Sequence, residues 1–507
     1  MKFLNLLIFN NSHTRMLATI TMMVGVLFLS ILSGVLAAYS NVILLVPLLA
    51  LYGLFFILAA PVSWIIWIIF WAAFVVTGPS AYFIRFTQLQ WLTVLMEAAL
   101  LLPVLLHLLR SKNHIRSIPV SNDLFLPVIF LLLVIFSTVI DHPQFADFVN
   151  ASRHYLFMWP LMLVFMFGLV RPETLMQLWK ALMPLAILQL PMALYQYFFV
   201  AKKSTRLSPW DAVVGTFPGD ISGSGDSAGM AIMLLIAIMV AIALWRGSKL
   251  HGAWVISVVL AALVTLALAE VKAPIMLLPV MIALYYRREL LQRPVESFVI
   301  LIATLMIVGG LFFAYEKLHY SNKPALIYND SNQPSSTYEY VARALSPDNE
   351  SIDLGQLGRT THLIKWWEIN VKNGDLQHSL FGYGMGATAE TKIGVGELVD
   401  RFPYQMNISS SVVLLWETGI LGHLVFLLIL LSGAWTSGQI AKNECIPEAH
   451  RILLRVGEVG LFLLIMTLPY KSIHFYSNPI QFLMMLMLGQ AAYWSRFVSN
   501  NSKSKLY

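Results

Sequence analysis

"LALAEVKAPIMLLP", residues 266–279, sets a glutamate and a lysine two positions apart in an almost wholly apolar run. From Ala253 to Tyr286 the only other polar side chains before the tyrosines are Ser257 and Thr265. A charge at the middle of a bilayer costs about 3 kcal/mol on insertion scales. Glu270 and Lys272 are therefore expected at a turn between two membrane spans, with Pro274 in the first turn of the second. Two readings of the pair stay open. Lys272 either snorkels to the headgroups from a tight turn, or is a cation held at the lipid–water boundary to meet an anion.

The rest of the chain has the same character. It has 507 residues, 58% hydrophobic and 12% charged, about half the charged fraction of a soluble protein. Apolar runs of roughly 20 residues fall near 16–36, 41–59, 62–77, 89–109, 123–140, 155–170, 179–200, 228–245, 252–269, 273–286, 297–315, 410–433, 452–469 and 479–495. The expected fold is an all-α polytopic membrane bundle of about fourteen spans (twelve to fourteen), with one long outer loop. Its parts are an N-terminal bundle, 1–200, central spans with an outer basic loop, 201–315, the long loop, 316–409, and the C-terminal spans, 410–507. The run at 16–36 exceeds a signal peptide's apolar core and is read as the first span. With Cys445 the only cysteine, no intrachain disulfide can form.

The net charge of +7 is no nucleic-acid footprint, because no soluble basic face exists to carry it. Assigned to alternate loops, eighteen of the 33 Lys and Arg share the side of the termini. Of the other fifteen, eight lie in the loop 316–409, leaving seven in short loops. Short loops decide orientation, so both termini are expected in the cytoplasm.

Against that bias stand Arg85, Arg153, Lys202, Lys203, Arg206, Lys272, Arg359, Arg401 and Lys471 on the outer side. Each alone suits solubility; together they suggest a basic site at the outer leaflet, with Arg fit for bidentate phosphate recognition. The loop 201–228 adds a Gly- and Ser-rich stretch able to approach a ligand closely, with the start of a helix behind it, but no nucleotide-phosphate loop. "LGRTTHLIKWWEINVKNG", 357–374, reads as an amphipathic helix with Leu363, Trp366, Trp367, Ile369 and Val371 on its apolar side. The tryptophans suit a membrane interface or a sugar-stacking surface. "HSLFGYGMGAT", 378–388, is a tight, close-approach segment, and Glu417 is a lone acid in the following span.

Four segments in this order, "VGTFPGDISGSGDSAGMA" (214–231), "LALAEVKAPIMLLPV" (266–280), "LGRTTHLIKWWEI" with "SLFGYGMG" (357–386), and "SSSVVLLWETGILGHLVFLLIL" (409–430), resemble the O-antigen polymerase and ligase superfamily of bacterial inner-membrane glycosyltransferases. The resemblance covers 200–430 in patches. It implies transfer of a glycan from undecaprenyl pyrophosphate at the outer leaflet to an acceptor glycan, or to lipid A core in the ligases, without metal, cofactor or nucleotide. By position, Arg359 matches the family's long-loop arginine, Lys272 a position where relatives carry arginine, and Arg206 an arginine ahead of the "GTF". Ile408 and Ser409 stand where ligases carry His-Asn, which favours the polymerase; His154, His362, His378 and His474 are the histidines that could substitute. The expected catalytic set is Arg359, Lys272 and Arg206 on the leaving pyrophosphate, with Glu270 as base or as orienter of Lys272. The expected substrate-binding set is Arg153, Lys203, Arg401, Trp366 and Trp367. Expected partners are the lipid-linked oligosaccharide, an acceptor glycan, and a chain-length regulator or export machinery. A flippase, using Glu97, His107, Gln189, Glu417 or His423 within the spans, and a non-catalytic assembly scaffold are the rival readings.

Overall fold

The computed structural model describes residues 60–110, 122–141, 145–204, 209–221, 224–269, 271–319, 350–351, 356–389, 395–402 and 404–504. The expected spans at 16–36 and 41–59 lie outside the described residues, as do Arg206 and Glu270. The described chain is mostly helical, and its strands form two two-stranded antiparallel ribbons, Gly219–Asp220 with Ser224–Gly225, and Glu350–Ser351 with Gln356–Leu357.

The helices come in this order: α1 Val62–Ile84, α2 Thr87–Leu109, α3 Asn122–Asp141, α4 Phe145–Tyr155, α5 Trp159–Met166, α6 Pro172–Lys203, α7 Ser227–Arg246, α8 Gly252–Leu268, α9 Lys272–Tyr285, α10 Pro294–His319, α11 Arg359–Trp366, α12 Leu376–Phe381, α13 Ser410–Ile440, α14 Glu448–Thr467 and α15 Asn478–Ser504. Among the described residues seven helices, α1, α2, α3, α6, α7, α10 and α13, contain segments long and apolar enough to cross a membrane; α8 and α9 are apolar but shorter. Each expected span within the described residues meets a helix. The exception in form is 155–170, where only the eight-residue α5 forms after Leu156–Met158 leave the end of α4, with Pro160 in the first turn of α5.

α7 is the axis of the bundle. It has no polar face, and a helix apolar all round must be buried or face lipid. Here 94% of its apolar window is buried, against α6, α8, α9, α14 and α15. α10, equally apolar, is only 17% buried, so its side chains form the exterior that a bilayer would cover. α1 and α6 each carry a π-helical turn, at Ala72–Val76 and Gln196–Val200.

Between α12 and α13 the chain "FGYGMGAT" returns deep into the bundle. Gly382 (φ +75°, ψ −168°) and Gly419 (φ +67°, ψ −169°) cross where α13 breaks its helical path. A Cβ on Gly382 would lie 2.5 Å from the Glu417 carbonyl carbon and the Thr418 nitrogen. One on Gly419 would meet the Leu380 carbonyl and, at 2.5 Å, the Phe381 nitrogen. Only hydrogen fits between these two backbones. The crossing is then stitched on both sides. Tyr383 N donates to Trp416 O (2.8 Å), Gly384 N to Ser137 Oγ (3.0 Å), Ser137 Oγ to Glu417 O (2.8 Å) and Met385 N to Thr138 Oγ1 (3.2 Å). The long-loop segment is thereby fixed to α3 and α13, and everything attached to it inherits that position.

Candidate functional site

The cations converge on the turn between α14 and α15, residues 468–477. Serines at the start of α13 build this turn. Ser409 caps the helix at Val412 N, Ser410 N donates to Lys471 O (3.4 Å), and Ser411 N donates to Leu468 O (3.0 Å). His474 locks it from inside. Its Nε2 faces Leu464 O at 2.9 Å and so carries the proton, leaving Nδ1 as acceptor toward Ser410 Oγ at 2.7 Å. Burial lowers its pKa to about 4, so it stays neutral.

Arg359 opens α11 and reaches this turn. Its Nε donates to Tyr470 O, and the guanidinium sits 4.9 Å from the Tyr470 ring centroid. Lys471 follows, exposed, and its charge acts on Asp226. Arg153, in the last turn of α4, comes from the other side. Its guanidinium lies 5.4 Å over Trp91 and its charge acts on the Tyr476 hydroxyl. Arg153 Nε donates to His154 Nε2 at 2.8 Å, while His154 Nδ1 faces Phe475 O at 2.6 Å. His154 is thus neutral with both ring nitrogens engaged, and burial followed by the Arg153 charge hold its pKa well below the ordinary value. Burial also lowers the pKa of Arg153, partly opposed by Tyr476. Among the described residues neither Arg153 nor Arg359 forms an ion pair with a carboxylate. The acid beside this turn is Asp226, half-buried, which accepts Gly229 N at Oδ1 (2.9 Å) and the Ser477 hydroxyl at Oδ2.

Lys272 is at the same end of the bundle. α7 starts beside Ser477, and α8 returns antiparallel to it, so α9 begins where α7 began. Lys272 is 6% exposed, with its ammonium 5.2 Å over the Tyr315 ring near the end of α10. Of the two readings of the pair at 270–272, simple snorkelling into water does not describe it, since the lysine is enclosed by protein.

Other expectations are corrected. Trp366 is 4% exposed and donates Nε1 to Leu415 O at 3.0 Å; it anchors α11 to α13 and is closed to any sugar. Trp367, next to it, is 55% exposed. Neighbours on a helix point about 100° apart, so both could not share the apolar side. Lys203 holds its ammonium over the exposed ring of Phe199 (5.4 Å), an interfacial arrangement. Within the Gly- and Ser-rich loop 201–228, the segment 213–217 packs on its own protein. Gln196 Oε1 accepts Val214 N (2.9 Å) and Gly215 N (2.7 Å), and Gln189 Oε1 accepts Thr216 N (2.7 Å). Gln189 is thereby occupied as a structural group. The first turn of α7 is not an open anion site either, because the Asp226 carboxylate caps it. Glu417 is 1% exposed and accepts Thr388 N (3.1 Å) and Thr388 Oγ1 (2.6 Å), tying the loop to α13.

A second constellation lies on the far side of the glycine-rich segment. His378 stacks on Tyr383 (centroids 3.9 Å apart, 10° interplanar). Its Nδ1 faces Asp375 Oδ2 at 2.6 Å and its Nε2 faces Asp141 Oδ1 at 3.2 Å. Burial lowers the imidazole pKa, but the bonds and charges of Asp375 and Asp141 outweigh it and the net shift is upward. Arg401 faces this group, acting on Asp375 and Tyr383. Of the four histidines singled out, His154 and His474 are fully engaged, and His362 is 0% exposed with its pKa lowered to about 4 by burial; only His378 retains an open side.

Sequence reasoning missed Tyr470, Tyr476, Asp226 and Ser477. Only Asp226 left a local signal, an acidic residue directly before an apolar helix. Among the described residues no group of three or more His, Cys, Asp or Glu could hold a metal ion. No protein-family model matches the chain, and no curated protein matches it.

Proposed function

We propose that this chain is a polymerase of lipid-linked polysaccharide repeat units, acting at the outer leaflet of a bacterial inner membrane with both termini in the cytoplasm. It would join a glycan carried on undecaprenyl pyrophosphate to an acceptor glycan with inversion. The observation that carries the reading is the meeting of Arg153, Arg359 and Lys471 at one turn at one end of an apolar bundle. Three cations drawn from separated parts of the chain, with Asp226 beside Lys471, would form a receptor for an anion of more than one charge. A diphosphate headgroup suits it, because arginines deliver paired N–H donors to phosphate oxygens. Charge growing on the leaving pyrophosphate would be stabilised by these groups, an effect worth a few kcal/mol per donor in other enzymes. Lys272, enclosed at the same end with its ammonium over Tyr315, would add to the positive potential there.

The absence of His-Asn at 408–409 weighs for the polymerase over the ligase. Arg359→Ala and Lys272→Ala, each expressed at the wild-type level in a deletion strain, are expected to lose long-chain polysaccharide and to accumulate single repeat units on the outside. Normal chain lengths in both would remove these residues from the site. Units stranded on the inner face would point instead to a flippase.

A further inference from the structure

We propose that Asp226 is the general base that takes the proton from the acceptor hydroxyl. The inference rests on the polymerase reading and adds the group that reading lacks, since the sequence candidate, Glu270, lies outside the described residues. Asp226 directly precedes α7, half-buried, and is hydrogen-bonded to Ser477, the last residue of the turn that carries Tyr470, Lys471 and Tyr476. It faces Lys471 across the same turn, and Arg153 and Arg359 reach that turn from α4 and α11. The other carboxylate near the turn, Glu417, is enclosed and has Oε1 committed to Thr388. The two hydrogen bonds to Asp226 use one lone pair on each oxygen, which leaves acceptor capacity for a substrate hydroxyl.

The step balances. The acceptor O–H proton passes to a carboxylate oxygen of Asp226 as the acceptor oxygen bonds to the anomeric carbon. The bond from that carbon to the phosphate oxygen breaks, its electron pair leaving with undecaprenyl pyrophosphate, which the cations neutralise. Asp226 then returns its proton to water. Burial raises the Asp226 pKa to about 6 against the opposing effects of Ser477, Gly229 N–H and Lys471. That leaves the group ionised at neutral pH and close to the value at which a base works best.

The test uses purified full-length protein and lipid-linked oligosaccharide, with rates followed between pH 5 and 9. Asp226→Asn retains the cap, because Asn serves as well as Asp before a helix. Wild type is expected to gain activity as pH rises through about 6. Asp226→Asn is expected to lose 10²- to 10⁴-fold in rate and to lose that acid limb, with KM for the donor nearly unchanged. Ser477→Ala, which removes a hydrogen bond to the ionised form, should move the limb to higher pH. An active wild type with an equally active Asp226→Asn, or an unmoved limb in Ser477→Ala, overturns the assignment while the polymerase reading stands. A wild type that makes no polymer overturns both.

Discussion

Gly382→Ala and Gly419→Ala test whether the backbone crossing fixes the outer loop. Both glycines sit at positive φ with ψ near 180°, a region essentially closed to side chains and costing about 1–3 kcal/mol for any other residue. To this is added the overlap of a new methyl with backbone that cannot rotate away, for which overpacking adds about 1–3 kcal/mol. Each substitution should therefore destabilise by about 2–6 kcal/mol. The two methyls press on the same contact from opposite sides, so the first forces the segments apart and relieves the second. The double variant should cost less than the sum of the singles, by about the overlap share of 1–3 kcal/mol, since residues in contact do not add.

Two controls separate the contributions. Gly374 has φ +79° with nothing within 4 Å of an added Cβ, so Gly374→Ala shows backbone strain alone. Gly309 and Gly310 in α10 have no such φ and open space, and alanine there should be neutral or slightly stabilising. Thermal unfolding in detergent, with limited proteolysis of the loop, reads all of these. Gly382→Ala and Gly419→Ala that melt no lower than Gly374→Ala, or that add without loss in the double variant, would refute the crossing as the fixing point.

Gln189→Leu should lower stability by about 1–3 kcal/mol, because the buried Thr216 N–H loses its acceptor while the Thr216 hydroxyl still bonds Phe74 O; denaturation in detergent measures it, and wild-type stability would contradict it. His378 makes loop docking depend on pH. Its raised pKa gives a contribution complete below the ordinary 6.5 and lost as pH rises through the folded-state value, while Asp375, whose pKa is lowered, keeps its contribution down through 3.8. Amide exchange at Gly384 and Met385 is therefore expected to be best protected between about pH 4 and 6.5, and His378→Gln is expected to remove that dependence.

The helices were legible because apolar length writes itself locally, and seven among the described residues are long and apolar enough to cross a membrane. The site was not, because its contacts join residues far apart in sequence. Nothing near "GTF" announces that Gln189 and Gln196, on the preceding helix, will take its N–H groups. Nothing near "QHSLF" announces Asp141, and periodicity could not choose between Trp366 and Trp367 without knowing which face α13 covers. Arg359 was visible in the outer-side basic set, and resemblance gave it a role; the same set picked out Lys203, which turned to an exposed ring. The Gly- and Ser-rich loop 201–228 was read as able to approach a ligand closely, whereas at Gly215 the space is filled by the Gln189 and Met230 side chains; the tight approach read at 378–388 is made at Gly382 to the protein's own backbone.

The two ends of the glycine-rich segment differ in charge, and the difference bears on what each can do. Around Tyr383, His378 and Arg401 face the carboxylates Asp141 and Asp375, so positive and negative groups are matched there, although Asp141 Oδ2 is buried without a hydrogen-bond partner among the described residues. Around Tyr470 and Tyr476, Arg153, Arg359 and Lys471 outnumber the two carboxylates near that turn among the described residues, Asp226 and the enclosed Glu417, and Arg153 is already desolvated enough to lower its pKa. A surplus of half-buried positive charge is costly without a counterion, so this end is built for something that arrives with negative charge. Arg359 Nε is committed to Tyr470 O, which fixes the plane of the guanidinium and leaves its Nη donors as an oriented pair. A lysine could supply the charge there but not the fork. Arg359→Lys should therefore retain donor attraction while losing turnover, whereas a purely electrostatic role would leave turnover intact.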